Sequence, residues 1–235
     1  MAYQRPAGSD AARQWRCALP ERSQAPAGGS AHPGTSTSGC DHQPGHPAGR
    51  THSSRQSRTR KWPVLDAGGP PRIDPATWRL RLQGLVHSPV EWNWDELQNL
   101  PRVKVFADFH CVTRWSRLGN TWEGVSTREL LSQAGGVLPD AQYVLAYGHD
   151  FGWTTNLPLK EFLAEDALVA FLHDGEPISL EHGGPVRLIV PRLYAWKSAK
   201  WLAGIDFLAE DRAGFWERNG YHMHGDPWTE ERFGY

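Results

Sequence analysis

Three cysteines in 235 residues, an odd number with no secretory leader beside them, argue against a disulfide scaffold. No run of about 18 apolar residues occurs, so no transmembrane helix is predicted. The N-terminus has neither an apolar leader core nor paired arginines, and the expectation is a cytoplasmic protein. A net charge of -1 lacks the excess of cations that a dedicated nucleic-acid binder carries. Neither GxxxxGK[ST] nor GxGxxG is present, which excludes the common nucleotide loops. No internal repeat is visible.

Residues 1–60 lack Ile, Val and Phe altogether and contain one leucine, Leu19. Eight arginines face three acidic residues there, about +5, which leaves about -6 for the rest. Such a segment cannot bury enough apolar surface to offset chain entropy, so residues 1–60 are predicted to be disordered and low in complexity. Residues 61–235 are expected to form a single domain. That part holds nearly all the aliphatic residues and most of the 12 tryptophans.

Short strands dominate the reading of that domain. Trp78–Leu82 and Val103–Ala107 alternate, and Tyr143–Tyr147, Leu168–Leu172, Val186–Val190 and Ile205–Leu208 are short apolar runs. Asp174-Gly175 marks a hairpin. Short helices are predicted over Trp94–Leu100, stopped by Pro101, after the capping box Ser126–Glu129, and at Pro158–Phe162. No regular strand–helix alternation appears, so the expected class is α+β with a mixed, mostly antiparallel sheet.

Cys111 is the one cysteine outside the low-complexity segment. It follows the Val103–Ala107 strand and opens a stretch rich in Arg, Ser, Gly and Asn that reads as a loop. Three readings fit it. It can be a buried structural thiol. It can be a nucleophile, although adjacent His110 would point to the opposite face of a strand and serve poorly as its base. It can be a metal ligand, and since one thiolate cannot build a zinc site, the remaining ligands would come from a cofactor. His182-Gly183-Gly184-Pro185-Val186-Arg187 and Lys197-Ser198-Ala199-Lys200 gather cations, a hydroxyl and flexible backbone suited to an anion, and a helix starting near Ser198 would add free N–H groups. A glycine turn with surface lysines is the plainer reading. His222, His224 and Asp226 fit either a metal site or a satisfied polar cluster.

Phe109-His110-Cys111-Val112-Thr113-Arg114-Trp115-Ser116 with Trp122 and Gly124 resembles the molybdenum-cysteine loop of the sulfite oxidase superfamily. Asp174-Gly175-Glu176-Pro177, His182 to Arg187, and Lys197 to Lys200 are similar to its later motifs, in the same order. The likeness covers roughly residues 61–235 and is nearest to small bacterial sulfite oxidase-like oxidoreductases, relatives of the molybdenum-dependent methionine sulfoxide reductase. It implies that superfamily's fold, a molybdopterin cofactor, and two-electron oxo transfer on a small sulfite- or sulfoxide-like molecule. Cys111 is the implied metal ligand. His110, Cys111, His149, His182, Arg187, Ser198, Ala199 and Lys200 are the implied cofactor-binding residues. Cys111, Arg114 and Arg117 are the expected catalytic group, with Trp153, Tyr194 and Trp196 as further candidates for the substrate face. An unidentified electron donor or acceptor protein is implied, with no nucleic acid and no membrane span. The chain departs from the classical enzymes in lacking their further arginines after the cysteine. The alternatives are a cysteine-dependent hydrolase or peroxidase, or a non-catalytic binding protein on the same scaffold.

Overall fold

The computed structural model describes residues 55–150 and 152–234. The expectation of disorder for residues 1–54, with Cys17 and Cys40, lies outside the described residues. Residues 55–60 were expected in the low-complexity segment, yet they belong to the fold. Strand β1 (Ser57–Arg58) pairs in parallel with the start of β5 (Trp115–Ser126). Backbone pairing needs no apolar side chain, so composition does not reveal it.

Two sheets form the domain. One is six-stranded, ordered β1-β5-β8-β10, with β4 (Val103–His110) paired to β5 and β9 (Glu176–Pro177) paired to β8 (Leu168–His173). The other is five-stranded, ordered β3-β2-β11-β6-β7, from β2 (Leu80–Gly84), β3 (Val90–Trp92), β6 (Tyr143–Gly148), β7 (Thr154–Pro158) and β11 (Leu202–Leu208). Among the described strands only β1–β5 and β2–β11 pair in parallel. The architecture is the expected mixed, mostly antiparallel α+β one.

Helices are short. Asn93 caps α1 (Trp94–Gln98) with a full capping box. Ser126 accepts from the Glu129 N–H to start α2 (Thr127–Gln133), while the Glu129 carboxylate accepts instead from Gln133. Helices α3 (Leu159–Phe162) and α4 (Phe215–Arg218) are the others among the described residues. The helix expected near Ser198 is absent: a 3-10 turn, Ala195–Lys197, ends there. Ser198 is therefore its C-cap, and its hydroxyl accepts from the Val190 N–H.

Alternation along the strands fixes what faces the site. In β8, Val169 and Phe171 enter the main core, while Leu168 and Ala170 enter a second cluster with Phe109, Trp122, Ile178 and Ile189. A strand buried on both faces explains the unbroken Leu168–Leu172 apolar run. In β10 (Arg187–Ile189), Leu188 joins the main core and Ile189 the second cluster. Arg187 thus shares the face of Ile189. In β4, Ala107 and Phe109 face the second cluster. The same parity carries Cys111 to that side and turns His110 away.

The stretch after Cys111 is not a long loop. Only Cys111–Arg114 is a turn, closed by Cys111 N–H to Trp115 O (2.9 Å) and Arg114 N–H to Cys111 O (3.0 Å). Arg114 sits at φ +69°, the left-handed region that a tight reversal requires. Beyond it β5 runs for 12 residues, its polar and glycine content offset by pairing with β4 on one edge and β8 on the other.

Candidate functional site

A cavity of about 280 Å³ opens where the second cluster meets the turn. Its wall includes Trp62, Phe109, Cys111, Thr113, Trp115, Trp153, His182, Arg187, Trp196, Ser198, Lys200 and Tyr221. The motifs at 109–116, 182–187 and 197–200 therefore converge on one space.

Cys111 is 7% exposed. Its Sγ accepts from the Thr113 hydroxyl at 3.2 Å. Burial pushes the thiol pKa up, opposed by the Thr113 bond and, more weakly, by the charge of Arg232.

Arg187 is buried at 3% exposure, yet among the described residues no carboxylate meets it. Nη1 donates to His182 O (2.6 Å) and Nη2 to Ser198 O (2.9 Å), both neutral carbonyls. Nε has no partner. Its guanidinium lies 5.4 Å from the Trp62 ring centre and 5.3 Å from that of Phe109. Burial pulls its pKa down to about 9, so the group is still a cation at neutral pH. A buried charge without a counter-charge is costly, and a cavity beside it calls for an anion.

Lys200 is the second cation on the wall. It donates to Glu181 O (2.7 Å) and approaches Asp66 Oδ2 at 3.6 Å. Burial, then the neighbouring Arg187 charge, brings its pKa down to about 8. Gly183, at φ +99°, lets Lys200 cross close by, since a β-carbon there would stand 2.7 Å from Lys200 Cγ.

His182 is the one imidazole on the wall among the described residues. Both its nitrogens are engaged, Nδ1 with Ser179 Oγ (2.9 Å) and Nε2 with Trp62 O (3.0 Å). Its ring stacks on Trp62 with centres 4.0 Å apart. Burial lowers its pKa, so the ring is neutral at pH 7.

Several expected site residues stand elsewhere. His110 is buried behind the turn, its Nδ1 2.7 Å from Ser116 Oγ and its ring against Trp228. His149 does not line the cavity; its N–H donates to Trp201 O, and the neighbouring Asp150 is on the wall instead. Ala199 is buried beneath it, its carbonyl accepting from Leu188. Arg114 is exposed. Arg117 pairs with Asp174 (2.6 Å) and bonds Asn120, away from the cavity. Trp153 and Trp196 line the cavity, whereas Tyr194 packs behind it. His224 joins Glu231 (2.9 Å) and Glu161 (3.5 Å), a satisfied polar cluster that raises its pKa. Among the described residues no group of His, Cys, Asp and Glu is arranged to hold a metal alone.

Other wall residues were not among the expected site residues. Trp62 is wedged between His182 and His173, and Asp66 faces Lys200. Trp216 and Tyr221 come from the aromatic tail. That tail is pinned by a fully buried pair, Lys197 Nζ to Glu217 Oε1 (2.6 Å), whose same carboxylate oxygen accepts from Trp196 Nε1 (2.9 Å) and Thr155 Oγ1 (3.0 Å). Lys197 is thus a structural anchor, and of that motif Ser198 and Lys200 line the cavity.

The oxidoreductase molybdopterin binding domain family matches residues 67–216. An uncharacterized oxidoreductase of Bacillus subtilis (strain 168), YuiH, is 49% identical over 179 residues, 76% of this chain and 89% of the relative. Human mitochondrial sulfite oxidase is 26% identical over 178 residues, 64% of this chain and 33% of that protein. The chain therefore spans only a third of that enzyme. The sulfane dehydrogenase SoxCD from Paracoccus pantotrophus shares the fold, with a TM-score of 0.55 and 24% identity over 60% of this chain and 41% of its own. Among the described residues no helix is long and apolar enough to cross a membrane. A thiol and an unpaired buried guanidinium facing one cavity accord with the family match across most of the domain: the chain belongs to the oxidoreductase molybdopterin binding domain family, within the sulfite oxidase superfamily, and is an oxidoreductase whose cofactor is molybdopterin.

Proposed function

We propose that the protein performs two-electron oxo transfer on a small uncharged molecule, such as a sulfoxide, at a molybdenum bound by Cys111. The carrying observation is the buried Arg187, which lacks a carboxylate partner and faces the same cavity as the thiol. The residues present suit a phosphate-bearing pterin. Arg187 and Lys200 offer cations to the phosphate. Ser198 and the Gly183 turn bring backbone close, and His182, held neutral, borders the pterin. Cys111 supplies a soft ligand. The cofactor supplies a redox couple in which molybdenum cycles between its (VI) and (IV) states. The protein's part is to bind, orient and exclude water.

The wall around Cys111 supports an uncharged substrate. Val112, Thr113, Trp115, Trp216 and Tyr221 line it, and neither Arg114 nor Arg117 does. The cations on the wall are those assigned to the phosphate. An anion such as sulfite would meet aromatic faces, whose negative electrostatic surface repels it. The nucleophile reading is weaker, because the one imidazole on the wall is bonded at both nitrogens and the thiol's partner is a hydroxyl. Electrons would pass to or from an external one-electron carrier, and we place the reaction in the cytoplasm.

The test is steady-state turnover of the molybdenum-loaded protein. Reduction of dimethyl sulfoxide or methionine sulfoxide with a viologen dye should exceed sulfite oxidation with ferricyanide by at least about tenfold in kcat/KM. Faster sulfite oxidation would overturn the substrate reading.

A further inference from the structure

The turn that presents Cys111 is held from behind by both ends of the described chain. Gln56 Nε2 donates to Cys111 O at 3.0 Å. The Ser57 N–H donates to Arg114 O at 2.9 Å, and the Thr59 N–H to Ser116 O at 2.9 Å. From the other end, Arg232 Nη1 donates to Val112 O. Arg232 is 6% exposed and Gln56 8%, so neither bond is diluted by solvent. Arg232 is itself fixed. Its Nε bonds Glu230 at 2.8 Å, its guanidinium lies 5.0 Å from the Tyr194 ring centre, and a β-bridge ties Phe233 to Tyr221 on the cavity wall. Carbonyls of Cys111, Val112 and Arg114 therefore each accept from a segment more than fifty residues away in sequence. Gln56 and Arg232 both fall outside the span 67–216 that the family match covers.

We propose that Gln56 and Arg232 form a clamp that sets the position of the Cys111 sulfur, with Arg232 as the dominant positioning residue. A four-residue turn with one residue in the left-handed region has little to hold its own shape. The Arg114 N–H closes the turn onto Cys111 O, which also accepts from Gln56, while Val112 O and Arg114 O accept from partners outside the turn. A charge-assisted bond to Val112 O and a buried amide bond to Cys111 O restrain the two peptide planes that flank Val112, the first of which also adjoins the Cys111 Cα. Fixing those planes restricts the direction of the Cα–Cβ bond, and so where the sulfur stands. Outer partners that orient a ligand in this way tune a metal centre without touching it. The proposal rests on Cys111 being the molybdenum ligand.

The experiment uses the holoenzyme, made in a host that supplies the cofactor, and reads the Mo(V) electron paramagnetic resonance spectrum. Cys111→Ser, Gln56→Leu, Arg232→Leu and Arg232→Lys are compared with the unaltered protein. Arg232→Leu should shift the g-values or split the signal into two species. Gln56→Leu should do so to a smaller extent, and Arg232→Lys should move the spectrum back toward the unaltered one. In the cofactor-free protein, amide exchange at residues 111–114 should quicken by about tenfold in Arg232→Leu. Spectra of Arg232→Leu and Gln56→Leu that superimpose on the unaltered one, with Cys111→Ser changed, would overturn the clamp. A Cys111→Ser spectrum identical to the unaltered one would remove the ligand assignment and the clamp with it. If Arg232→Leu does not fold, Gln56→Leu and Arg232→Lys decide by the same spectra.

Discussion

Replacing Arg187 by methionine tests whether the cavity is built for an anion. The guanidinium is buried, and its pKa falls from its ordinary value to about 9. At about 1.4 kcal/mol per unit, keeping it charged costs the cofactor-free fold on the order of 5 kcal/mol. The folded chain holds that proton less tightly than the unfolded chain. The cost is therefore present in full at pH 7 and would be relieved only as pH rises through about 9 toward the ordinary guanidinium range. Against this stand two bonds, to His182 O and Ser198 O, whose loss strands carbonyls at about 1–3 kcal/mol each. Two cation–π contacts add about 0.5–1 kcal/mol apiece. The terms nearly cancel, so Arg187→Met should change cofactor-free stability by less than about 2 kcal/mol. A residue already paired with a buried carboxylate would lose about 3–5 kcal/mol. The assay is urea unfolding of cofactor-free protein with and without inorganic phosphate. Phosphate at tenfold over its Kd should add about 1.4 kcal/mol to the unaltered protein and nothing to the variant. A loss above about 4 kcal/mol, or phosphate stabilisation that survives in Arg187→Met, would refute the reasoning.

Lys197→Met should destabilise the protein by about 3–5 kcal/mol, because it strands Glu217 in the interior, and Lys197→Met with Glu217→Leu should recover part of that loss in the same unfolding assay. His173, whose ring centre lies 4.4 Å from those of Trp62 and Trp122, has a pKa lowered to about 4, first by burial. The unfolded chain binds that proton first as pH falls, so stability should drop between about pH 6.5 and 4 by about 3 kcal/mol, and His173→Gln should flatten that slope.

Much of the fold was legible because burial leaves a pattern. Leu168–Leu172 is apolar on both faces because it lies between two cores, and Leu80–Leu82 alternates because one face meets the main core and the other is exposed. Strand β5 was not legible. Arg117, Gly119 and Asn120 read as loop, and only pairing with β4 and β8 makes them strand. Nor was β1, whose place depends on the backbone of Trp115–Ser116 far along the chain. At the site, Cys111, His182, Arg187, Ser198 and Lys200 are legible because each lies in a compact motif that faces the cavity. Arg114 and Arg117 shared a motif with Cys111 but not its direction. Arg117 is drawn off by Asp174, 57 residues later, and no local pattern announces such a pair. Trp62, Gln56 and Arg232 act through backbone carbonyls or stacking, which leave no signature in sequence.

The central claim is that the Cys111 sulfur binds molybdenum, and X-ray absorption at the molybdenum edge measures this most directly. The loaded protein should show three sulfurs at bonding distance, two from the pterin dithiolene and one from the thiolate, and Cys111→Ser should show two. Three sulfurs in both proteins, or two in both, would contradict it.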